Sequence, residues 1–258
     1  MILDGEVVIV SGVGAGLGAK LAARAAAEGA KVVMAARSTG VMDQVAKEVA
    51  AAGGEAVGVP CDVRKAEDVE RVVGTAVERY GRVTGLVNSA YSHPGFHDLL
   101  ATPDKQLRRS VDIILHGALA MTRAAVPHMT DGGAIVNVGT MSTRKPMQGE
   151  GGYAVAKAAM GCASQYLALE LGARNIRVNQ AVLGWLDGPG VRYYLTMTAQ
   201  QRGVTEQDVY DEIAARNPLG RIPTDEACAG AILYLLSRYA SEVTGAVLDV
   251  NGGEHMPV

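Results

Sequence analysis

Tyr153 and Lys157 stand four residues apart in Tyr-Ala-Val-Ala-Lys, the separation that places two side chains one turn apart on the same helix face. A free phenol titrates near pH ~10 and is a poor acid–base catalyst at neutrality. An ammonium beside it favours the phenolate and is expected to draw that pKa toward the working range. Thr140, thirteen positions before Tyr153, follows the apolar run Ala134-Ile135-Val136-Asn137-Val138. That run reads as a buried strand, which would put the Thr140 hydroxyl at a carboxyl end, where open α/β sheets bind ligands. Ser142 lies two residues further on, facing the same side if the strand continues, and is the alternative hydroxyl. A Tyr and a Lys at this spacing also occur on ordinary solvated helices. Their meaning therefore depends on what the rest of the chain builds around them.

Residues 6–10 (Glu-Val-Val-Ile-Val) form a continuous apolar run, as in a strand buried on both faces. Ser11-Gly12-Val13-Gly14-Ala15-Gly16-Leu17-Gly18 comes next, then an Ala-rich helix to about residue 28. Glycines in such a turn let the backbone approach a pyrophosphate, and the helix start offers N–H groups and a favourable dipole. A merely tight turn is the plainer alternative. Further strands are expected at 31–36, 55–61, 83–87, 134–138, 176–183 and 246–250, with helices at 41–52, 66–80, 103–129, 152–172 and 224–238 between them. Strand–helix alternation of this period implies one α/β domain over 1–258, a doubly wound parallel sheet of about seven strands with helices on both faces. Residues 189–218 make a long excursion carrying Tyr193, Tyr194, Met197 and Tyr210, readable as a substrate-covering lid or as ordinary interface packing. Thr205 and Asp208 within it look like a helix start.

Composition narrows the function classes. Net charge is −3 and Lys and Arg are scattered, which argues against a nucleic-acid or anionic-membrane partner. No run approaches the ~18 apolar residues of a membrane span, and no signal-peptide pattern opens the chain. Cys61, Cys162 and Cys228 lack metal-ligand spacing, so buried thiols in a reducing cytoplasm are expected. His93, His97, His116 and His128 show no ordered ligand pattern either, and no metal is expected. His93 and His97 sit on a loop, where a solvated ring is the default and lining of a substrate mouth the alternative.

Together these residues resemble the short-chain dehydrogenase/reductase family over essentially the whole chain. The resemblance is carried by Ser11-Gly12-x-x-x-Gly16-x-Gly18, Asp62 after the third strand, Asn88-Ser89-Ala90, Tyr153-x-x-x-Lys157, Arg177-Val178-Asn179 and the ending Thr244-Gly245…Asn251-Gly252-Gly253. It implies a Rossmann-like fold, bound NAD(H) or NADP(H), and interconversion of an alcohol and a ketone. By the same resemblance Gly12, Gly14, Gly16, Leu17, Gly18, Asp62, Val63, Asn88, Ser89, Ala90, Gly184 and Leu186 hold cofactor. Tyr153 exchanges the hydroxyl proton, Lys157 tunes it and holds the nicotinamide ribose, and Thr140 bonds the substrate oxygen. It also implies a homo-oligomer, a tetramer by family habit, built on the 103–129 helix and a face with Met160, Cys162, Tyr166 and Leu167.

The chain departs from the family pattern in four places. Thr140 stands where the family has Ser, and Ile114 where it has a helix Asn that serves the proton relay. Ser89 and Tyr91 replace the second Asn and the Gly of Asn-Asn-Ala-Gly, and Leu183-Gly184 replaces Pro-Gly. The expected substrate is a compact apolar, alicyclic or steroid-like secondary alcohol. A 3-oxoacyl-thioester reductase, needing a basic rim, and a non-catalytic dinucleotide-binding regulator are the alternatives. Ala36 occupies the strand-end position where NAD-selective sites carry an acid, and Arg37 and Ser38 follow. A guanidinium there suits a 2′-phosphate, so NADP(H) is favoured and NAD(H) stays open.

Overall fold

The structure, a computed structural model, describes residues 1–257. The apolar runs pair into one seven-stranded sheet in which every neighbouring pair is parallel. Its strands are β1 (Val7–Ser11), β2 (Lys31–Ala36), β3 (Glu55–Pro60), β4 (Gly85–Asn88), β5 (Gly133–Thr140), β6 (Ile176–Leu183) and β7 (Val247–Val250). The order is β3-β2-β1-β4-β5-β6-β7. The chain winds outward from β1 to β3 and returns on the other side of β1 as β4. That reversal opens a crevice at the carboxyl ends of β1 and β4, the usual ligand position in such sheets.

Side chains alternate across the pleat and so feed two cores. Val8, Val10, Val32 and Met34 pack with Leu21, Val45, Ile232 and Leu233. These belong to α1 (Leu17–Ala27), α2 (Gly40–Ala51) and α9 (Asp225–Leu236). Val7, Ile9, Val33 and Ala35 face the other way, onto Val69, Val72 and Met121, carried by α3 (Ala66–Tyr80) and by the helix after α4 (Asp104–Val111), which is α5 (Gly117–Ala125). Burial on both faces is why the central strands read as unbroken apolar runs. Pro60, which has no N–H to give, closes β3 at the sheet edge, where it costs no ladder bond.

Several boundaries differ from the sequence expectation. β3 stops at Pro60 rather than Cys61, and β4 runs Gly85–Asn88 rather than 83–87. The helix expected over 103–129 is three pieces: α4, a wide π turn over Asp112–His116, then α5, with a tight turn following at Val126–His128. The π turn accommodates an extra residue. Two consecutive isoleucines thereby go inside, Ile113 toward the sheet core and Ile114 toward Ala156 and Met160 of α6 (Gly151–Leu171). On α6 itself the expected subunit face divides: Met160 is core, Leu167 packs on core, and Cys162, Tyr166 and Leu169 are exposed. Exposed Cys162 corrects the expectation of three buried thiols; Cys61 and Cys228 are buried.

The excursion after β6 folds as α7 (Pro189–Arg202) and α8 (Glu206–Ala214) around Leu195, Ala199, Val209 and Ile213. Thr205 and Asp208 form a reciprocal capping box at the start of α8, as their spacing suggested. Arg177 and Asn179 turn out to be structural. Arg177 donates to the carbonyls of Leu235 at 2.8 Å and Ser237 at 3.1 Å, satisfying the end of α9. Asn179 donates to the Val243 carbonyl at 2.7 Å and accepts from the Ala246 N–H at 3.0 Å, which aligns β7 beside β6.

Candidate active site

The glycine-rich turn is built by close approach. Gly12 has φ +97°, and a Cβ there would lie 2.4 Å from the Ala90 nitrogen. A Cβ on Gly18 would lie 2.4 Å from the Gly12 carbonyl oxygen, so α1 packs directly onto the turn. A Cβ on Gly14 would meet nothing within 4 Å, and no side chain caps α1 at Gly16. The result is an open backbone cradle at a helix N-terminus, a shape and a dipole that fit a pyrophosphate. Asp225 is a feature that sequence reasoning missed. It is 8% exposed, and its Oδ2 lies 3.1 Å from where a Gly16 Cβ would be. Burial, with Asp187 adding, pushes its carboxyl up.

One cleft of about 730 Å³ runs from this cradle across the ends of β5 and β6. Gly12, Gly14, Gly16, Leu17 and Gly18 line one end. Thr140, Ser142, Tyr153 and Lys157 line it further along, with Ser89, Gly184 and Leu186 between the strand ends and α7. Asn88 lies beneath the cleft rather than on it. Its Nδ2 donates to Asn137 Oδ1 at 2.9 Å, and Asn137 in turn donates to Ser164 at 2.8 Å, a buried polar chain joining β4, β5 and α6. Val63 is buried in the core against Gly117 of α5, away from the cleft lining, and Ala90 abuts Gly12 and supports the cradle from behind.

The two hydroxyls meet for a reason other than strand alternation. β5 ends at Thr140 and the chain tightens into a 3-10 turn over Met141–Thr143. Thr140 Oγ1 caps that turn, accepting from the Ser142 N–H at 3.4 Å, and the two hydroxyl oxygens stand 3.2 Å apart. Ser142 Oγ also donates to Glu150 Oε2 at 3.4 Å. With the Ser142 proton on Glu150, Thr140 is the donor of that hydroxyl pair, and it sits at the more open position, where an incoming oxygen can take over its proton from Ser142.

Lys157 is 2% exposed, and its Nζ donates to the Val138 carbonyl at 2.5 Å. That ammonium lies 5.7 Å from the centre of the Tyr153 ring. Burial lowers Lys157 to about 8, which leaves it charged at pH 7. Burial pushes the Tyr153 phenol up, with Tyr91 and Glu150 adding to the rise. The direction is opposite to the expected depression. The physical reason is that burial of the ring, with Tyr91 and Glu150 adding, outweighs an ammonium 5.7 Å from the ring centre. Ile114 is 2% exposed and packed in aliphatic surroundings, so its side chain offers no relay.

Two more residues belong to the site: His93, for which lining a substrate mouth was the alternative reading, and Glu150, which sequence reasoning missed. His93 is not a solvated loop histidine: its ring lies 5.1 Å from that of Tyr153 and 4.5 Å from that of Phe96, centre to centre. Glu150 lies one helix step before Tyr153 and faces the same cleft. The signal available in the sequence was its position, three residues before Tyr153 at a helix start.

At the far end of the crevice β2 ends at Ala36, and Arg37 and Ser38 are exposed, outside the lining of the cleft. Asp62 is clasped by Arg64, whose Nε donates to Oδ1 at 2.9 Å. That hydrogen bond above all holds the Asp62 carboxyl down at about 2, and the Arg37 charge contributes. Arg64 is thus a second basic side chain near Arg37, one that sequence spacing did not offer. Among the described residues there is no cluster of three or more His, Cys, Asp or Glu suited to a metal, and no helix long and apolar enough to cross a membrane.

Known proteins are similar to this chain over nearly its whole length. A family model described as enoyl-(acyl carrier protein) reductase matches residues 12–255. Dehydrogenase/reductase SDR family member 4 of Oryctolagus cuniculus is 34% identical over 254 residues, covering 97% of this chain and 94% of that one. L-rhamnose 1-dehydrogenase (NAD(P)(+)) of Sphingomonas sp. is 33% identical over 259 residues, covering 99% and 98%. Among solved structures, a short-chain dehydrogenase/reductase from Serratia marcescens superposes with a TM-score of 0.86 at 29% identity, covering 98% of this chain and 99% of that one. Relatives aligned over nearly the whole chain lead to one conclusion: the chain belongs to the short-chain dehydrogenase/reductase family, oxidoreductases that usually bind NAD(P).

Proposed function

We propose that the protein interconverts a secondary alcohol and its ketone, with Tyr153 as the proton-exchanging group. The observation that carries this reading is the convergence of Tyr153, Lys157 and Thr140 in the same cleft as the open glycine cradle. NAD(P), when bound, supplies or accepts the hydride. The residues do the rest. Gly14 and the start of α1 hold the pyrophosphate. Lys157 bears a charge fixed below the phenol by the Val138 carbonyl and is suited to the ribose hydroxyls. Thr140 donates to the substrate oxygen where negative charge develops, and Tyr153 gives or takes the hydroxyl proton.

Residues 189–218 serve as the substrate cover of a single catalytic domain. Val191 and Tyr194 of α7 line the cleft, and Trp185 packs at a tilt against Tyr194 with ring centres 5.1 Å apart. With Phe96 and Met147 these walls favour a compact, largely apolar ring. A carrier-bound thioester is less well supported, because the basic side chains nearby are already paired: Arg144 with Asp249, Lys145 with Glu254, Arg192 with Asp187. A regulator without turnover is disfavoured by the intact Tyr153, Lys157 and Thr140 set. Exposed Tyr166 and Leu169 on α6 support self-association, and the tetramer is the family resemblance carried over to it. Turnover of NADP and NAD with a panel of cyclic secondary alcohols tests the activity; a cofactor that binds without any turnover would contradict it.

The cofactor reading is NADP(H). Arg37 is exposed and free to meet a 2′-phosphate, and Ala36 places no acid against one. Arg37→Ala is expected to lower kcat/KM for NADP by about 10- to 100-fold, the scale of one charge-assisted hydrogen bond, with a much smaller effect on NAD. A wild-type preference for NAD that survives the substitution would show the assignment to be wrong.

A further inference from the structure

Glu150 and His93 lie on the wall of the cleft but outside the reacting set, their side chains 14% and 22% exposed. The Gly95 N–H donates to His93 Nδ1 at 3.1 Å, so that nitrogen is an acceptor and the ring proton sits on Nε2. Nε2 donates to Glu150 Oε1 at 3.3 Å. Ser142 Oγ donates to Oε2. Both protein partners are therefore donors, and the carboxylate keeps unused lone pairs toward the cleft. The imidazole packs at a tilt against the rings of Phe96 and Tyr153, with ring centres 4.5 and 5.1 Å away.

This acceptor stands beside the chemistry. Only Ser142 separates Glu150 from Thr140, through contacts of 3.4 and 3.2 Å. Its influence on the Tyr153 phenol marks the same proximity. A charged acceptor facing a purely apolar ring would lose solvent and gain nothing, which is unfavourable. The complementary group is a neutral donor. A substrate ammonium would enter a cleft that already contains the Lys157 cation, whereas a hydroxyl meets no such repulsion.

We propose that Glu150, braced by His93, accepts a hydrogen bond from a second hydroxyl on the carbon next to the carbinol, so that the preferred substrate is a cyclic vicinal diol or the matching hydroxyketone. This deepens the oxidoreductase reading above and rests on it. Glu150 acts as a specificity residue: it selects the substrate and leaves the hydride and proton chemistry to the groups already named.

The test compares trans-1,2-cyclohexanediol with cyclohexanol, both with NADP, in wild type, Glu150→Gln and Glu150→Ala. Wild type is expected to favour the diol in kcat/KM by about 10- to 100-fold, as a site built for a substrate hydroxyl discriminates against the analogue lacking it. Both variants are expected to bring that ratio close to one, chiefly through a raised KM for the diol. Retained cofactor binding, read by fluorescence titration, shows that the variants are folded. A wild-type ratio near one with both alcohols turned over would overturn the diol proposal and leave the oxidoreductase reading standing. A large ratio unchanged in both variants would overturn the assignment to Glu150. Preference for trans-2-aminocyclohexanol over the diol would overturn the choice of hydroxyl over ammonium. No turnover of any of the three by a cofactor-loaded wild type would instead strike the oxidoreductase reading itself.

Discussion

Tyr153→Phe is expected to lower kcat by about 10²- to 10⁴-fold, the range spanned by a positioned acid–base group. The substitution keeps the ring, and with it the packing against His93, Tyr91 and the Ile114 cluster. It removes only the hydroxyl. Cofactor affinity should therefore change little, because the cradle at Gly14 and the Lys157 ammonium are untouched. Steady-state kinetics with a parallel cofactor titration checks both halves. Equal activity in the variant would remove Tyr153 from the chemistry. The raised phenol pKa in the protein alone sharpens this expectation. A desolvated, protonated phenol is ready to donate in the ketone-reducing direction, and it needs added positive charge nearby before it accepts in the other.

Thr140→Val should cost about 10²- to 10³-fold in kcat, the usual loss when one donor to a developing oxyanion is removed. Valine preserves shape and β-branching, so the strand end stays put and the missing hydroxyl is isolated as the cause. Thr140→Ser should hold the rate or raise it, because the hydroxyl remains and the stiff β-methyl is gone. Ser142→Ala should cost less than Thr140→Val, since the Ser142 proton is already directed at Glu150. The reverse order of effects would identify Ser142 as the polarising group.

Most of the architecture was legible because it is written locally. Burial on both faces makes β1 a continuous apolar run and leaves β5 and β6 rich in buried apolar residues, and the glycine turn between β1 and α1 needs only adjacent residues to be recognised. Tyr153 and Lys157 were legible for the same reason, being one helical turn apart. What escaped depends on chain segments far apart in sequence. His93 and Glu150 are separated by 57 positions and meet only after β4 and α6 have docked. Asp225 reaches the cradle from α9, and Arg64 comes near Arg37 because β2 and β3 end side by side. Spacing also misjudged two local details. The closeness of Thr140 and Ser142 comes from a 3-10 turn rather than a continued strand, and the long helix carries a π turn at the two isoleucines. The Tyr153 pKa was misread because helical spacing says where an ammonium stands along the helix, but not how deeply the phenol is buried or that Tyr91 and Glu150 flank it.

The central claim is that this cleft moves hydride between a secondary carbinol carbon and nicotinamide. The most direct measurement uses a cyclic secondary alcohol deuterated at the carbinol carbon, with wild-type protein and NADP under single-turnover conditions. Slower turnover than with the unlabelled alcohol and recovery of the deuterium in the reduced nicotinamide are expected. Reduced cofactor free of deuterium, or no reduction while the cofactor is demonstrably bound, would contradict it.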